Sequence, residues 1–102
     1  MAEQVPQLKQ KISALQEKLS ELEATRHEHN VVLDALSKLE PDRQCYRMVG
    51  SVLVERSVGE VNPAVKQNRD ILEASIGKMA EELKNTYTQL QEIQTKLSAQ
   101  SS

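Results

Sequence analysis

From Leu8 onward the apolar residues of this chain recur at alternating intervals of four and three: Leu8, Ile12, Leu15, Leu19 and Leu22, continued by Arg26, His29, Leu33 and Leu36. That spacing marks a helix packed lengthwise against another helix, and it is compatible with few other folds. A second seam keeps the same step: Val65, Leu72, Ile76, Met79, Leu83, Thr86, Leu90, Ile93 and Leu97, with Arg69 as its charged interruption. Two coiled-coil helices are therefore expected within 102 residues. Composition agrees, because a chain that is 38% hydrophobic with no Phe, no Trp and two Tyr has little bulk for a spherical core. Its 27% of charged residues suits narrow seams flanked by wide solvated faces.

Pro41 disfavours helical geometry at Glu40, so the first helix is expected over about 6–40, roughly 50 Å at 1.5 Å per residue. The second is expected over about 58–99. Its start carries two signals: Ser57 with Glu60 makes a capping box, while Asn62 followed by Pro63 makes an N-cap and a first-turn proline. Together they predict a short turn before the main helix. Opposite charges four apart, Asp34 with Lys38, Lys66 with Asp70, Arg69 with Glu73, Lys78 with Glu82 and Glu92 with Lys96, lie on exposed faces. A connector of some twenty residues that doubles back favours an antiparallel pair within one chain. A pairing sum near 103 then sets Arg26 against Gly77 and His29 against Ala74. On that register Gly77, which costs about 1 kcal/mol relative to Ala inside a helix, is read as making room for polar bulk.

Between the helices stands CYRMVGSVLVER, Cys45 to Arg56. Tyr46 to Val49 and Val52 to Glu55 are rich in strand formers, and Gly50 with Ser51 supplies a two-residue turn. Pairing Val49 with Val52 puts Tyr46, Met48, Leu53 and Glu55 on one face and Cys45, Arg47, Val49, Val52, Val54 and Arg56 on the other. An isolated two-stranded hairpin is marginal in water and leaves both edges open. Tyr46, Met48, Val49, Gly50, Val52, Leu53 and Val54 are accordingly candidate assembly residues, completed by strands from other chains.

Other chemistries find little support. His27 and His29 are two apart on a helix and point about 200° from each other, unlike a helical metal pair at i, i+4. Cys45 is the one cysteine, so no internal disulfide or thiolate cluster can form, and in a strand it reads as a buried inert thiol. Tyr46 reads as hairpin packing. No Gly-rich phosphate loop or nucleophile triad can be assembled, so no enzyme and no cofactor are expected. A net charge of −2 without a run of Lys or Arg disfavours nucleic acid. No window approaches the apolar length of a membrane span, and the start MAEQVPQLKQ carries no targeting pattern; a soluble cytoplasmic chain is expected.

The order of long helix, CYRMVGSVLVER, SVGEVNPAV and second long helix resembles the β class of prefoldin subunits, in its eukaryotic subunit 2 group. The stretch from EHNVVLDAL (Glu28 to Leu36) through NPAVKQN (Asn62 to Asn68) carries the likeness. The resemblance implies one β-type domain over 1–102, mainly α, whose single hairpin joins an intermolecular β-barrel. It implies a heterohexamer in which this chain meets two α-class and three further β-class subunits. The activity implied is that of an ATP-independent holdase, which captures unfolded chains such as actin and tubulin and delivers them to the cytosolic group II chaperonin. Client contact in the family lies at the coiled-coil tips, which here means the Gln-rich ends holding Val5, Leu8, Ile12, Ile93 and Leu97. Heptad spacing alone makes Leu8, Ile12, Ile93 and Leu97 individually seam residues, with client contact a property of the tip as a whole. The competing reading is a structural coiled-coil scaffold or tether with the central segment as a hinge. A hinge would be polar and rich in Gly or Ser, which VLVE is not.

Overall fold

The computed structural model describes residues 2–101. The chain runs α1 (Gln4–Ser37), β1 (Gln44–Val49), β2 (Val52–Ser57) and α2 (Val58–Ser101). Two compact units arise from this order, and each helix contributes to both. One holds the residues up to Glu23 with those from Ala74 on, and the other spans Ala24–Glu73.

In the first unit the seams lie where the spacing puts them. Ile12 and Ile76 are buried, and Leu8, Leu15, Leu19, Leu22, Met79, Leu83, Leu90, Ile93 and Leu97 are half-buried. Thr86 is 1% exposed, and its Oγ1 donates to the Glu82 carbonyl at 2.8 Å, so this polar group deep in the seam is satisfied by its own helix. Polar side chains also link the two helices. Lys11 Nζ lies 3.2 Å from Glu82, and Gln16 Nε2 donates to the Tyr87 hydroxyl.

In the second unit Leu36, Val58 and Val61 form a buried cluster, with Leu39, Cys45 and Val65 packed on it. Arg26, His29, Leu33, Arg69 and Leu72 are half-buried along the seam, as their spacing requires. The Arg26 guanidinium meets Glu73 at 3.4 Å. The His29 Nδ1–H donates to the Thr25 carbonyl at 2.9 Å, since a carbonyl can only accept.

Boundaries differ from expectation in instructive ways. α1 opens at Gln4, so Pro6 sits in the first turn, where the missing N–H has no partner to lose. It closes at Ser37, short of Glu40. Lys38 N–H and Leu39 N–H bond back only three residues, to Ala35 and Leu36, and tighten the last turn. Glu40 to Arg43 then form a β-turn closed by Arg43 N–H to Glu40 O at 3.0 Å, with Pro41 at its favoured second position.

At the other end the capping box prevails. The Glu60 N–H donates to Ser57 Oγ at 3.3 Å, and Ser57 Oγ donates to Glu60 Oε1 at 3.0 Å. α2 therefore starts at Val58 and runs unbroken through Asn62 and Pro63, without the separate short turn. Val58 N–H and Gly59 N–H bond to Arg43 O at 2.9 Å and Pro41 O at 2.8 Å, so the loop supplies acceptors that an isolated helix would lack.

Among the five charge pairs expected along the helices, Asp34 with Lys38 forms at 3.5 Å. Glu73 and Glu82 turn instead to cations on the facing helix, and Arg69 turns to Asp70 at 3.0 Å. The reading of Gly77 as a space-maker is also overturned. Arg26 is taken by Glu73, Ala74 and Gly77 are exposed, and a Cβ built on Gly77 meets nothing within 4 Å. Both positions lie off the seam traced by Leu72, Ile76 and Met79, so no facing side chain needs their smallness.

Gly59 is the helical glycine with a structural reason. A Cβ there would stand 3.2 Å from the Pro41 carbonyl oxygen, which Gly59's own N–H holds in place. The two glycines should thus respond oppositely to alanine. Gly77→Ala is expected to stabilise the chain by about 1 kcal/mol, and Gly59→Ala to destabilise it by about 1 kcal/mol through crowding of a fixed backbone atom. Urea unfolding followed by circular dichroism measures both, and a Gly59→Ala midpoint above wild type would contradict this account.

Candidate assembly surface on the hairpin

β1 and β2 pair antiparallel in the expected register, Val49 with Val52, Met48 with Leu53, Arg47 with Val54, Tyr46 with Glu55 and Cys45 with Arg56. Gly50 has φ of 63°, and no other residue type adopts positive φ among the described residues. Positive φ at the first central position alone is the pattern of a type II′ turn, whose twist matches that of the strands it joins.

The two faces of the hairpin have different surroundings. Cys45, Arg47 and Val54 are half-buried against their own chain. Tyr46, Met48 and Leu53 on the opposite face, with Val49 and Val52 beside the turn, are 56–64% exposed. These five large apolar side chains thus stand in solvent between Tyr46 and Leu53, a concentration that soluble monomers avoid. Val54 is the member of the predicted assembly set that turns partly inward.

The backbone presents a second unsatisfied surface. In an antiparallel ladder closed by a two-residue turn, alternate pairs exchange both hydrogen bonds, starting with the pair that flanks the turn. Tyr46 and Met48 on β1, and Leu53 and Glu55 on β2, therefore direct their N–H and C=O groups outward. The sheet has two strands, so among the described residues both edges are open. The charges are few and local: Glu55 lies opposite Tyr46, and Arg56 reaches Glu60 at 4.0 Å. Such a surface can accept added strands on its edges and apolar side chains on its face, which is the chemistry of β-augmentation.

The predicted tip residues divide. Leu8 and Ile93 come together in a groove of about 390 Å³, rimmed by Gln4, Gln7, Lys11, Gln89, Glu92 and Lys96. Ile12 is buried and closes the seam, while Val5 and Leu97 are half-buried outside that lining. Three exposed aliphatics escaped the sequence reading: Val31, Val32 and Ile71. The adjacent pair Val31-Val32 was a usable signal, because both residues are apolar and neither belongs to the seam set of His29, Leu33 and Leu36. Among the described residues no group of three or more His, Cys, Asp or Glu is arranged to hold a metal ion, and no helix is long and apolar enough to cross a membrane.

Burial separates fold from surface here, and it can be tested on the chain alone. Val58, 3% exposed, should cost about 2 kcal/mol when cut to Ala. Leu53→Ser, at a position 59% exposed, should change stability by less than about 0.5 kcal/mol. A thermal melt in which Leu53→Ser destabilises more than Val58→Ala would show that the hairpin face is packed within the chain.

The family model described as "Prefoldin subunit" matches residues 1–102. A protein of Dictyostelium discoideum named "Probable prefoldin subunit 2" is 48% identical over 66 residues, 65% of this chain and 57% of that protein. The Homo sapiens protein named "Prefoldin subunit 2" is 39% identical over 89 residues, 87% of this chain and 58% of that protein. The chain thus spans a little over half the length of these curated relatives. The crystal structure of the prefoldin beta subunit from Thermococcus strain KS-1 superposes with a TM-score of 0.91 at 18% identity, covering 97% of this chain and 87% of that one, which places the fold. With the helix, hairpin, helix order, the hairpin register and these matches in agreement, the chain belongs to the prefoldin subunit family.

Proposed function

We propose that this chain is a β-type subunit of a cytoplasmic heterohexameric holdase, acting without ATP or any cofactor. On this reading residues 1–102 make up one domain of the β type. The observation that carries the reading is the hairpin: two open strand edges beside Tyr46, Met48, Val49, Val52 and Leu53, all more than half exposed. Strands from neighbouring subunits, two of the α class and three further of the β class, would satisfy both edges and bury that face in a shared β-barrel. Main-chain bonds then give affinity, and the alternating side chains give register.

The other half of the activity is assigned to the helix ends. A groove lined by Leu8 and Ile93 together with amide and charged groups offers a small apolar contact. One such contact is weak and indifferent to sequence, which suits capture and release of unfolded chains, actin and tubulin among them. Several chains acting on one client raise avidity without a tight site. Delivery to the cytosolic chaperonin would follow release from these ends.

Val52→Asp tests the assembly half. With the exposed side chain of Val52 replaced by a carboxylate, helix content should be unchanged while the chain is lost from the complex formed with its partner subunits, as read by native mass spectrometry. An intact complex carrying Val52→Asp would remove the hairpin from the assembly. The holding half is tested by mixing the wild-type complex with a chemically denatured protein, without ATP, and following light scattering. Aggregation should be suppressed; a complex that assembles and leaves it unaltered would favour a scaffold or tether role.

A further inference from the structure

Beside the hairpin a second concave surface is left unused by the reading above. A groove of about 250 Å³ is lined by Glu28, His29 and Val32 of α1, Val65 and Asn68 of α2, and Arg47 of β1. Ile71, 59% exposed, stands one helical turn beyond Asn68 on the same flank of α2. Val32 is 43% exposed. Arg47 is half-buried, and neither its side chain nor that of Glu28 has a hydrogen-bond or ion-pair partner among the described residues. A guanidinium without an acceptor in its own chain keeps its donors for a carboxylate from outside.

We propose that this groove is a second docking site of the assembly, which receives an acidic side chain flanked by an aliphatic residue from the adjoining subunit. The proposal rests on the assembly reading of the hairpin and adds to it a contact outside the sheet. Charge selects the occupant. Arg47 has five donors and no acceptor of its own, so a carboxylate completes it bidentately, whereas Glu28 on the α1 side repels a second acid and fixes which way round the segment lies. The aliphatic requirement comes from Val32 and Ile71, which flank the groove with no polar function.

Position selects the adjoining subunit over a transient ligand. The strand residue in the lining is Arg47 of β1, and Val54 opposite it on β2 is not part of the lining, so on the hairpin the groove borders β1. A strand added to the β1 edge would lie beside the strand that contributes Arg47 to the lining. The contact therefore acts with edge pairing: it distinguishes partners that bring an acid to the β1 side from those that only supply a compatible strand.

The test uses the complex of this chain with its partner subunits, serially diluted and read by native mass spectrometry at two salt concentrations. Arg47→Gln should raise the concentration at which the chain leaves the complex roughly tenfold and flatten its salt dependence, with Arg47→Lys recovering part of the loss. Ile71→Ser, at an exposed position that leaves folding untouched, should raise it a few fold. Both variants dissociating at the wild-type concentration, while Val52→Asp still dissociates, would overturn the groove proposal and leave the hairpin reading standing. Persistence of the Val52→Asp complex would instead defeat the assembly reading itself. Variants that stay assembled but hold denatured protein less well would make the groove a client surface and also overturn the proposal.

Discussion

The junction where β2 becomes α2 governs much of the Ala24–Glu73 unit. Ser57 ends the strand and caps the helix in the same residue, exchanging bonds with Glu60, while Val58 and Gly59 donate to carbonyls of the Pro41 to Arg43 loop at 2.9 and 2.8 Å. Val58, at 3% exposure, drops directly into the Leu36 and Val61 cluster. No linker separates sheet from helix, so the hairpin is not free to swing. The phase of the helix is fixed at its first residue as well: with Val58 inward, Val61, Val65, Leu72 and Ile76 follow on the same stripe at helical spacing. Shifting the start to Asn62 would free Val58 from that cluster and leave two loop carbonyls without donors.

Apolar material is scarce in this chain, and its distribution explains why the sheet is left bare. The seams take nearly every Leu and Ile, yet most of those residues remain half-buried, because a pair of helices covers only a narrow stripe of each partner. Nothing is left over to cover Tyr46, Met48 or Leu53. A larger globular domain would roof such a hairpin with a helix; here both helices face each other. Were that face covered from outside the chain, as proposed above, folding and association would be linked and stability would depend on partner concentration.

Most of this was legible in the sequence, and what was not has identifiable causes. Seam positions and strand register are set by strict periods, and a period read over several repeats tolerates single exceptions such as Arg26 or Thr86. Helix ends are decided by competition between local signals of similar strength. At Ser57 and Asn62 the winner depended on whether Val58 had a core to enter, which no local pattern reveals. Gly77 was misread because its spacing was judged by an assumed pairing sum and not by its own distance from the seam. The charge pairs were misassigned for a related reason: i, i+4 spacing states who is near along one helix and is silent on the cation that the facing helix brings to Glu73 or Glu82.

Those facing cations carry information that the apolar seam lacks. Leucines repeating every seven residues fit one another equally well after a slide of one heptad, so hydrophobic burial alone leaves register degenerate. Arg26 occupies a seam position and is two-thirds withdrawn from water, its side chain 33% exposed, with Glu73 at 3.4 Å. Sliding α2 by a heptad in either direction would bring Lys66 or Ala80 to that place and strand the guanidinium without its carboxylate. Breaking such a pair costs more than its formation contributes, because the remaining charge stays partly desolvated. The polar interruptions that weaken the seam as glue are therefore what make its alignment unique, and by fixing α1 against α2 they hold the two helical walls of the Arg47 groove at one spacing.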